Sequence, residues 1–227
     1  MKVNLKMLSE SLGLSQTTVS RALNGYSDVS EATRQRVVEA ANKLGYQPNP
    51  QARQLATGRA DAIGIIYPFG ASDIGDIRFG EVVSGMTERL AQHNLDLLIH
   101  SSRPEVELET YRRLIDGRRV DALIVARTQV DDPRIRFLQE RNFPFVAYGR
   151  TQSRIPYAWF DFDNEAGGRL AVERLLGLGH RRVALIHAPL TLNFAMQRHA
   201  GFMAGLRAAG IEPDPGLVIE APINRIG

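Results

Sequence analysis

The sequence predicts two fold classes in tandem, a small all-α headpiece and a larger α/β body built on doubly wound parallel sheets. Short helical stretches bounded by cap and stop residues fill residues 1–46, and from Ala62 onward apolar runs of strand length alternate with helical stretches. Positive charge is concentrated at the front. Residues 1–60 hold eight Lys/Arg against four acids, a balance of +4, which leaves the remainder near −1 within an overall net charge of +3. A basic head on a nearly neutral body implies that only the head meets a polyanion.

In the headpiece, Asn4 caps a first helix in which Leu5, Leu8 and Leu12 recur on one face, and Gly13 ends it. Ser15 caps a second helix, Gln16 to Leu23, that Asn24-Gly25 stops. Val19, Ala22 and Leu23 form its buried stripe. Gln16, Thr17, Ser20 and Arg21 lie on another side, with amide, hydroxyl and guanidinium groups of the kind that read base edges in a major groove. The short link Gly13-Leu14-Ser15 suits two helices meeting steeply in a helix-turn-helix. Ser30 caps a third helix whose buried face is Val37, Ala41 and Leu44 and whose end is Gly45. Pro48 and Pro50 keep that helix from running on; Asn49 and Pro50 restart a helix of about two turns that Gly58 ends. So short a helix is marginal alone in water and needs DNA, or its copy in a second subunit, as a partner.

The body opens with the strand Ala62–Tyr67, followed by a helix from about Phe79 to His93. The alternation continues with strand Leu95–His100, helix Glu105–Asp116, strand Val120–Ala126, helix Pro133–Arg141 and strand Phe145–Tyr148. After the apolar segment Tyr157–Phe160, Asp163 leads a helix to Leu178. A strand Val183–His187, a helix from about Ala195 to Ala209 and a strand Leu217–Glu220 follow. Strands alternating with helices imply parallel sheets covered on both faces, with a ligand crevice at the carboxyl ends of the strands. The expected organisation is a helix-turn-helix domain over 1–46, a hinge helix and linker over 47–60, a first lobe over 61–160 and a partial second lobe over 161–227.

Several classes are excluded or disfavoured. The chain has no cysteine, so disulfides, Cys-zinc sites and thiol catalysis are ruled out. No stretch reaches the ~20 apolar residues that span a bilayer, and the first residues do not read as a secretory leader, so the expected location is the cytoplasm, at the nucleoid, without membrane contact. Gly64, Gly70, Gly75 and Gly80 do not fall at phosphate-cradling spacing, no GxSxG elbow occurs, and the five histidines are scattered. Asp161 and Asp163 lack an acid partner, and His180 sits in a turn where a structural role is the plain reading. No enzyme, cofactor or metal is expected.

The headpiece resembles the LacI/GalR family of bacterial transcription regulators. The residues that carry the likeness are Gly13-Leu14-Ser15, Thr18-Val19-Ser20-Arg21 with Asn24, Val29-Ser30 with Thr33-Arg34, and Leu44-Gly45-Tyr46 with Pro48-Asn49. A second signature lies in the body: Asp163-Asn164, Gly167-Gly168-Arg169-Leu170-Ala171 and Leu178-Gly179-His180-Arg181-Arg182-Val183-Ala184-Leu185-Ile186. The resemblance implies a periplasmic-binding-protein-like body whose second lobe is incomplete here, as in a fragment or truncated reading frame. It implies a homodimer on a pseudo-palindromic double-stranded operator, controlled by a small effector, with repression as the family's usual sign. Gln16 and Thr17 match operator-choosing positions. Arg21 would read guanine, while Asn4, Ser15, Thr18, Ser20, Asn24 and Asn49 would address phosphates or cap helices. Leu55 would wedge between base pairs in the minor groove, with Ala52 small where paired hinge helices approach.

For the effector, Arg198 matches an arginine that reaches ligand hydroxyls or carboxylate, and Asp163 and Asn193 are further cleft candidates. Tyr67 and Phe79 serve equally well as a platform for a sugar ring or as core. Trp159 is expected in the core or at the lobe interface. Tyr148-Gly149-Arg150-Thr151 and the aromatic-rich lobe resemble carbohydrate-responsive members, so the effector expected is a sugar such as an α-glucoside. The competing readings are a ligand-binding module without DNA function, favoured by the lobes alone, and a sugar- or nucleotide-processing enzyme, which would need a cofactor loop or an acid/base pair.

Overall fold

The computed structural model describes residues 3–47, 49–67 and 77–223. Pro48, Gly70 and Gly75 lie outside the described residues. The chain divides into two compact units, Met1–Arg59 and Ala60–Gly227.

In the first unit, α1 (Leu5–Leu12), α2 (Gln16–Leu23) and α3 (Glu31–Leu44) each begin at a polar side chain that accepts from the first turn. Asn4 Oδ1 accepts from Met7 N at 3.0 Å, Ser15 Oγ from Thr18 N at 3.1 Å, and Ser30 Oγ from Thr33 N at 3.3 Å. These bonds satisfy donors that the start of a helix leaves without an intrahelical partner. Leu8, Val19, Ala22, Val37 and Ala41 form the buried centre, with Leu5, Leu12, Leu23 and Tyr46 packed on it. Leu44 departs from expectation: it is 40% exposed. Gly45 takes a left-handed conformation at φ 64°, and Tyr46 N bonds back to the carbonyl of Ala41 at 2.9 Å. The reversal lays Tyr46 on the core in place of Leu44. A fourth helix, α4 (Pro50–Thr57), ends the unit.

The second unit contains a five-stranded, all-parallel sheet in the order β2 (Asp96–Ser101), β1 (Ala62–Tyr67), β3 (Ala122–Ala126), β4 (Phe145–Tyr148) and β5 (Ala158–Phe160). Its crossover helices are α5 (Ile77–Ala91), α6 (Glu107–Asp116) and α7 (Pro133–Glu140). Residues alternate between two cores, as strands covered on both faces require. Ile66, Leu123 and Val125 pack with Tyr111, Leu114, Ile135 and Leu138 on one side; Ile65, Tyr67, Ile124 and Ala126 meet Phe79 and Met86 on the other. Gly64 is required at the centre of β1, because a Cβ there would stand 2.8 Å from Leu123 Cδ2. The segment read only as an apolar link supplies β5. As this strand is the sheet edge, Trp159 is not in a core: it is 52% exposed, with the Arg150 guanidinium 5.3 Å over its ring.

Beyond β5 lie α8 (Asn164–Gly177), β6 (Leu185–His187), α9 (Asn193–Ala208) and β7 (Val218–Glu220), with β6 and β7 paired in parallel. The two helices are in close backbone contact. A Cβ on Gly168 would strike the carbonyl of Arg198, and one on Gly201 the carbonyl of Glu165. The glycines therefore set how near the functional ends of α8 and α9 can come.

Candidate nucleic-acid face and ligand cleft

On α2, Gln16 and Thr17 are exposed and their side chains form no hydrogen bond among the described residues. The remaining polar positions are engaged locally. Ser15 and Thr18 share a hydroxyl–hydroxyl bond at 2.9 Å, and Asn24 Nδ2 donates to the Ser20 carbonyl at 2.9 Å, closing the helix end. Arg21 is paired with Asp28, Nε to Oδ1 at 3.1 Å and Nη2 to Oδ2 at 2.7 Å, and its guanidinium carbon lies 4.6 Å from the Tyr26 ring centre. Gln16, Thr17, Ser20, Arg21, Asn24 and Tyr26 line one shallow groove together with Leu5. Asn4 stands at the start of α1 and serves as its cap.

On α4, Leu55 is 85% exposed and Ala52 is also exposed. The Asn49 carbonyl accepts from Arg53 N at 3.0 Å as the helix begins. A leucine this exposed on a two-turn helix gives that helix an apolar spot that the described residues do not bury.

In the second unit a cavity of about 590 Å³ lies between the five-stranded sheet and the α8–α9 pair. Its size falls within the ordinary range of small-molecule sites. Aromatic rings form much of its wall: Tyr67, Phe79, Tyr148, Phe162 and Phe194. The Tyr67 and Phe79 rings are 4.4 Å apart and tilted by 38°, and the Arg127 guanidinium stands 4.4 Å over Tyr67. Arg198 enters from α9 with its guanidinium 5.1 Å from the Phe194 ring, and its Nε donates to Asn164 Oδ1 at 2.9 Å. Asn164 is 4% exposed and donates through Nδ2 to Asp161 Oδ1 at 3.1 Å, while Asp161 Oδ2 accepts both Nε and backbone N of Arg150 at 3.1 Å. The chain Arg198–Asn164–Asp161–Arg150 thus fixes the side edge of Arg198. Its terminal nitrogens remain for a hydroxyl or carboxylate, to which the planar fork is suited.

Two effector candidates stand elsewhere. Asp163 is exposed and caps α8, accepting from Ala166 N at 2.9 Å; its neighbours Asp161 and Asn164 line the cavity instead. Asn193 is buried at the start of α9, where its N–H donates to the Thr128 carbonyl of the loop after β3 at 2.9 Å. Beside it Val130 N donates to the Thr191 carbonyl at 3.0 Å, and Gln129 pairs with Leu192 as an antiparallel bridge.

Behind the cleft is a buried ionic network absent from the sequence reading. Arg134, 3% exposed, donates Nη1 to Glu107 Oε1 at 2.8 Å, Nη2 to Asp132 Oδ2 at 2.7 Å and to the Arg127 carbonyl at 3.0 Å. Burial by itself would raise the Asp132 carboxyl, but the hydrogen bonds and charge of Arg134, with the N–H groups of Gln129 and Arg134, hold it below the ordinary carboxylate range. Burial likewise pushes the Tyr111 hydroxyl well above its usual value. By anchoring residues 127–132, the network fixes two cavity-lining residues, Arg127 and Thr128.

Among the described residues no group of three or more His, Asp or Glu side chains is placed to hold a metal, and no helix is long and apolar enough to cross a membrane.

Comparison with known proteins assigns both units. The profile described as "Bacterial regulatory proteins, lacI family" matches residues 10–49, and that of "Periplasmic binding proteins and sugar binding domain of LacI family" matches residues 49–219. The HTH-type transcriptional regulator RafR of Escherichia coli is 42% identical over 225 residues, covering 99% of this chain and 67% of its own length. Among solved structures, a lac repressor dimer bound to operator and the anti-inducer ONPF is similar with a TM-score of 0.77 at 29% identity, covering 98% of this chain and 66% of that one. A complex of the transcriptional regulator CelR with cellobiose has a TM-score of 0.63 at 30% identity, with coverages of 98% and 66%. The chain spans about two thirds of the length of each of these relatives. With both of its units matched, the chain belongs to the lacI family of bacterial regulatory proteins.

Proposed function

We propose that the protein is a sequence-specific DNA-binding transcription regulator, a repressor of carbohydrate-utilisation genes, acting as a homodimer on a pseudo-palindromic operator at the nucleoid, with a small sugar as effector. The observation that carries this reading is the polar face of α2, with Gln16 and Thr17 exposed and Ser20 and Arg21 half-buried beside them, on a capped three-helix headpiece. Gln16 and Thr17 choose bases, Arg21 donates to guanine, and Ser15, Thr18, Ser20, Asn24, Asn4 and Asn49 hold helix ends or meet phosphates. Leu55 enters the minor groove, with Ala52 at the approach of two hinge helices. The domain limits proposed are 1–46, 47–60, 61–160 and 161–227.

For the effector, clustered aromatics with an arginine whose terminal nitrogens bond nothing among the described residues suit a sugar, whose ring faces are apolar and whose rim is hydroxylated. That CelR is solved with cellobiose and the lac repressor with operator supports the same pairing of ligands here. Arg198, Tyr67 and Phe79 are the contacts proposed. Asp163 and Asn193 hold the frame, through the α8 cap and the bond from the start of α9 to the loop after β3. A ligand acts on DNA affinity only by preferring one arrangement of the body over another.

The test is selection of duplexes from a randomised pool by the full chain, then a salt series on the enriched sequence. The expected result is one palindrome whose affinity falls steeply with salt but stays well above that of a scrambled duplex. Binding of α-glucosides without any DNA enrichment would instead favour a ligand-binding module.

A further inference from the structure

We propose that Asp28 is a positioning residue for Arg21: it grips one edge of the guanidinium against Tyr26, so that the opposite, end-on pair of nitrogens is the edge offered to a guanine. This rests on the DNA-reading function proposed above. The two contacts, Nε to Oδ1 and Nη2 to Oδ2, are parallel and occupy the side edge of the planar group. A guanidinium has five N–H donors, and with that edge engaged the donors left form the Nη1–Nη2 edge, which fits the O6 and N7 acceptors of guanine. The Tyr26 ring covers one face and fixes the plane.

The clamp is anchored outside α2. Tyr26 N bonds to the Arg21 carbonyl at 3.1 Å, Arg34 on α3 donates Nη2 to the Tyr26 carbonyl at 3.1 Å, and Val29 N closes the turn onto the same carbonyl at 3.3 Å. The backbone that carries the ring, and through Val29 the turn beside the acid, are therefore held by the junction of α2 and α3. The pair is exposed on both sides, 42% for Arg21 and 54% for Asp28, and exposed ion pairs of this kind add little to fold stability. Its consequence lies in orientation. An arginine already fixed in plane and edge loses less freedom on meeting a base, and it is less able to swing onto a phosphate. An acid on a face turned to a polyanion also weakens attraction to arbitrary DNA, so Asp28 separates right from wrong sequences in two ways.

The experiment uses the full chain and the duplex that it enriches from a random pool, together with copies in which each G·C pair is replaced in turn. Binding is measured for wild type, Asp28→Asn, Arg21→Ala and the double variant. For wild type, one G·C pair per half-site should carry a replacement penalty of about tenfold or more. In Asp28→Asn that penalty should shrink about fivefold while affinity for a scrambled duplex rises, two changes of opposite sign that unfolding does not produce. In the Arg21→Ala background, Asp28→Asn should leave the penalty at that pair unchanged. A full penalty in Asp28→Asn, or an equal reduction with Arg21 absent, overturns the clamp while leaving the regulator intact. A pool that enriches no sequence overturns both.

Discussion

In the headpiece, outward-facing polar side chains are held by near neighbours in sequence: Ser15 with Thr18, Asn24 with Ser20, Arg21 with Asp28. In the body, polar side chains in and behind the cleft are held from a distance, Arg198 by Asn164 across 34 positions and Arg134 by Glu107 across 27. The difference separates specificity from stability. A face tied by local, exposed bonds can exchange side chains with little effect on the three-helix core beneath it. A cleft whose polar groups belong to a buried network cannot be altered at its anchors without loosening the lobe. On the function proposed above, operator choice would be open to change at Gln16 and Thr17, whereas ligand choice would be constrained to the inner ends of Arg198, Phe79 and their neighbours.

The largest expected effect breaks the body side of this contrast. Arg134→Met removes the cation between Asp132 and Glu107, leaving two buried carboxylates without their charge partner. Loss of one member of a buried ionic group costs about 3–5 kcal/mol. Urea unfolding followed by far-UV circular dichroism should show the body's midpoint fall while the headpiece transition stays in place. The wild-type network also predicts acid sensitivity. Because the folded Asp132 carboxyl is held below its unfolded value of about 3.9, its contribution is fully present above that pH and is lost as pH falls through the folded value. Midpoints measured down to about pH 3 should decline for wild type and decline less for Asp132→Asn, whose starting stability is already lower.

A second, smaller effect sharpens the link between packing and site. Gly201→Ala places a methyl group against the Glu165 carbonyl, so α8 and α9 must separate. Overpacking of this kind costs about 1–3 kcal/mol. The same separation draws Arg198 away from Asn164, so any ligand of the cleft should weaken along with stability. By contrast, an exposed change on α8 such as Arg169→Ala removes only its surface bond to Glu173 and should leave both measurements nearly unchanged.

Much of this architecture was legible in the residues, for physical reasons that also mark the limit. Caps act over three or four positions, so Asn4, Ser15 and Ser30 announced their helices, and Gly13, Gly25 and Gly45 their ends. The buried parallel strands announced themselves as short apolar runs such as Ala122–Ala126. What depends on tertiary contact was not readable. Strand β5 has three residues, too few for periodicity, and becomes a strand only by pairing with β4. Arg134 looked like one more charge at the start of α7, because neither Glu107 nor the loop it anchors is near in sequence. Asp163 is spent on the cap of α8, while Asn164, the first helical position, turns inward to Arg198, a placement that only the packing of α9 decides. A cue was present: a residue directly after an N-cap, next to a glycine pair that admits a second helix, faces whatever that helix brings.

The smallest expected effect on stability belongs to Leu55, and it tests the headpiece side of the contrast most directly. At 85% exposure the side chain has almost no contact area to lose, so Leu55→Ala should shift the unfolding midpoint by less than about 0.5 kcal/mol in equivalent stability. If the leucine acts as a wedge, its effect appears only on DNA. Unstacking a base step requires an apolar group between the bases, and alanine is too short to reach. The variant should therefore bind the enriched duplex more weakly and bend it less, as read by permuted-site gel mobility, while keeping the base preferences proposed for Gln16, Thr17 and Arg21. Unaltered bending and affinity would reject the wedge and leave Leu55 as an exposed residue of the linker. Loss of base preference together with bending would show that α4 and α2 do not act separately, and that the locally held face depends on the hinge for its seat on the duplex.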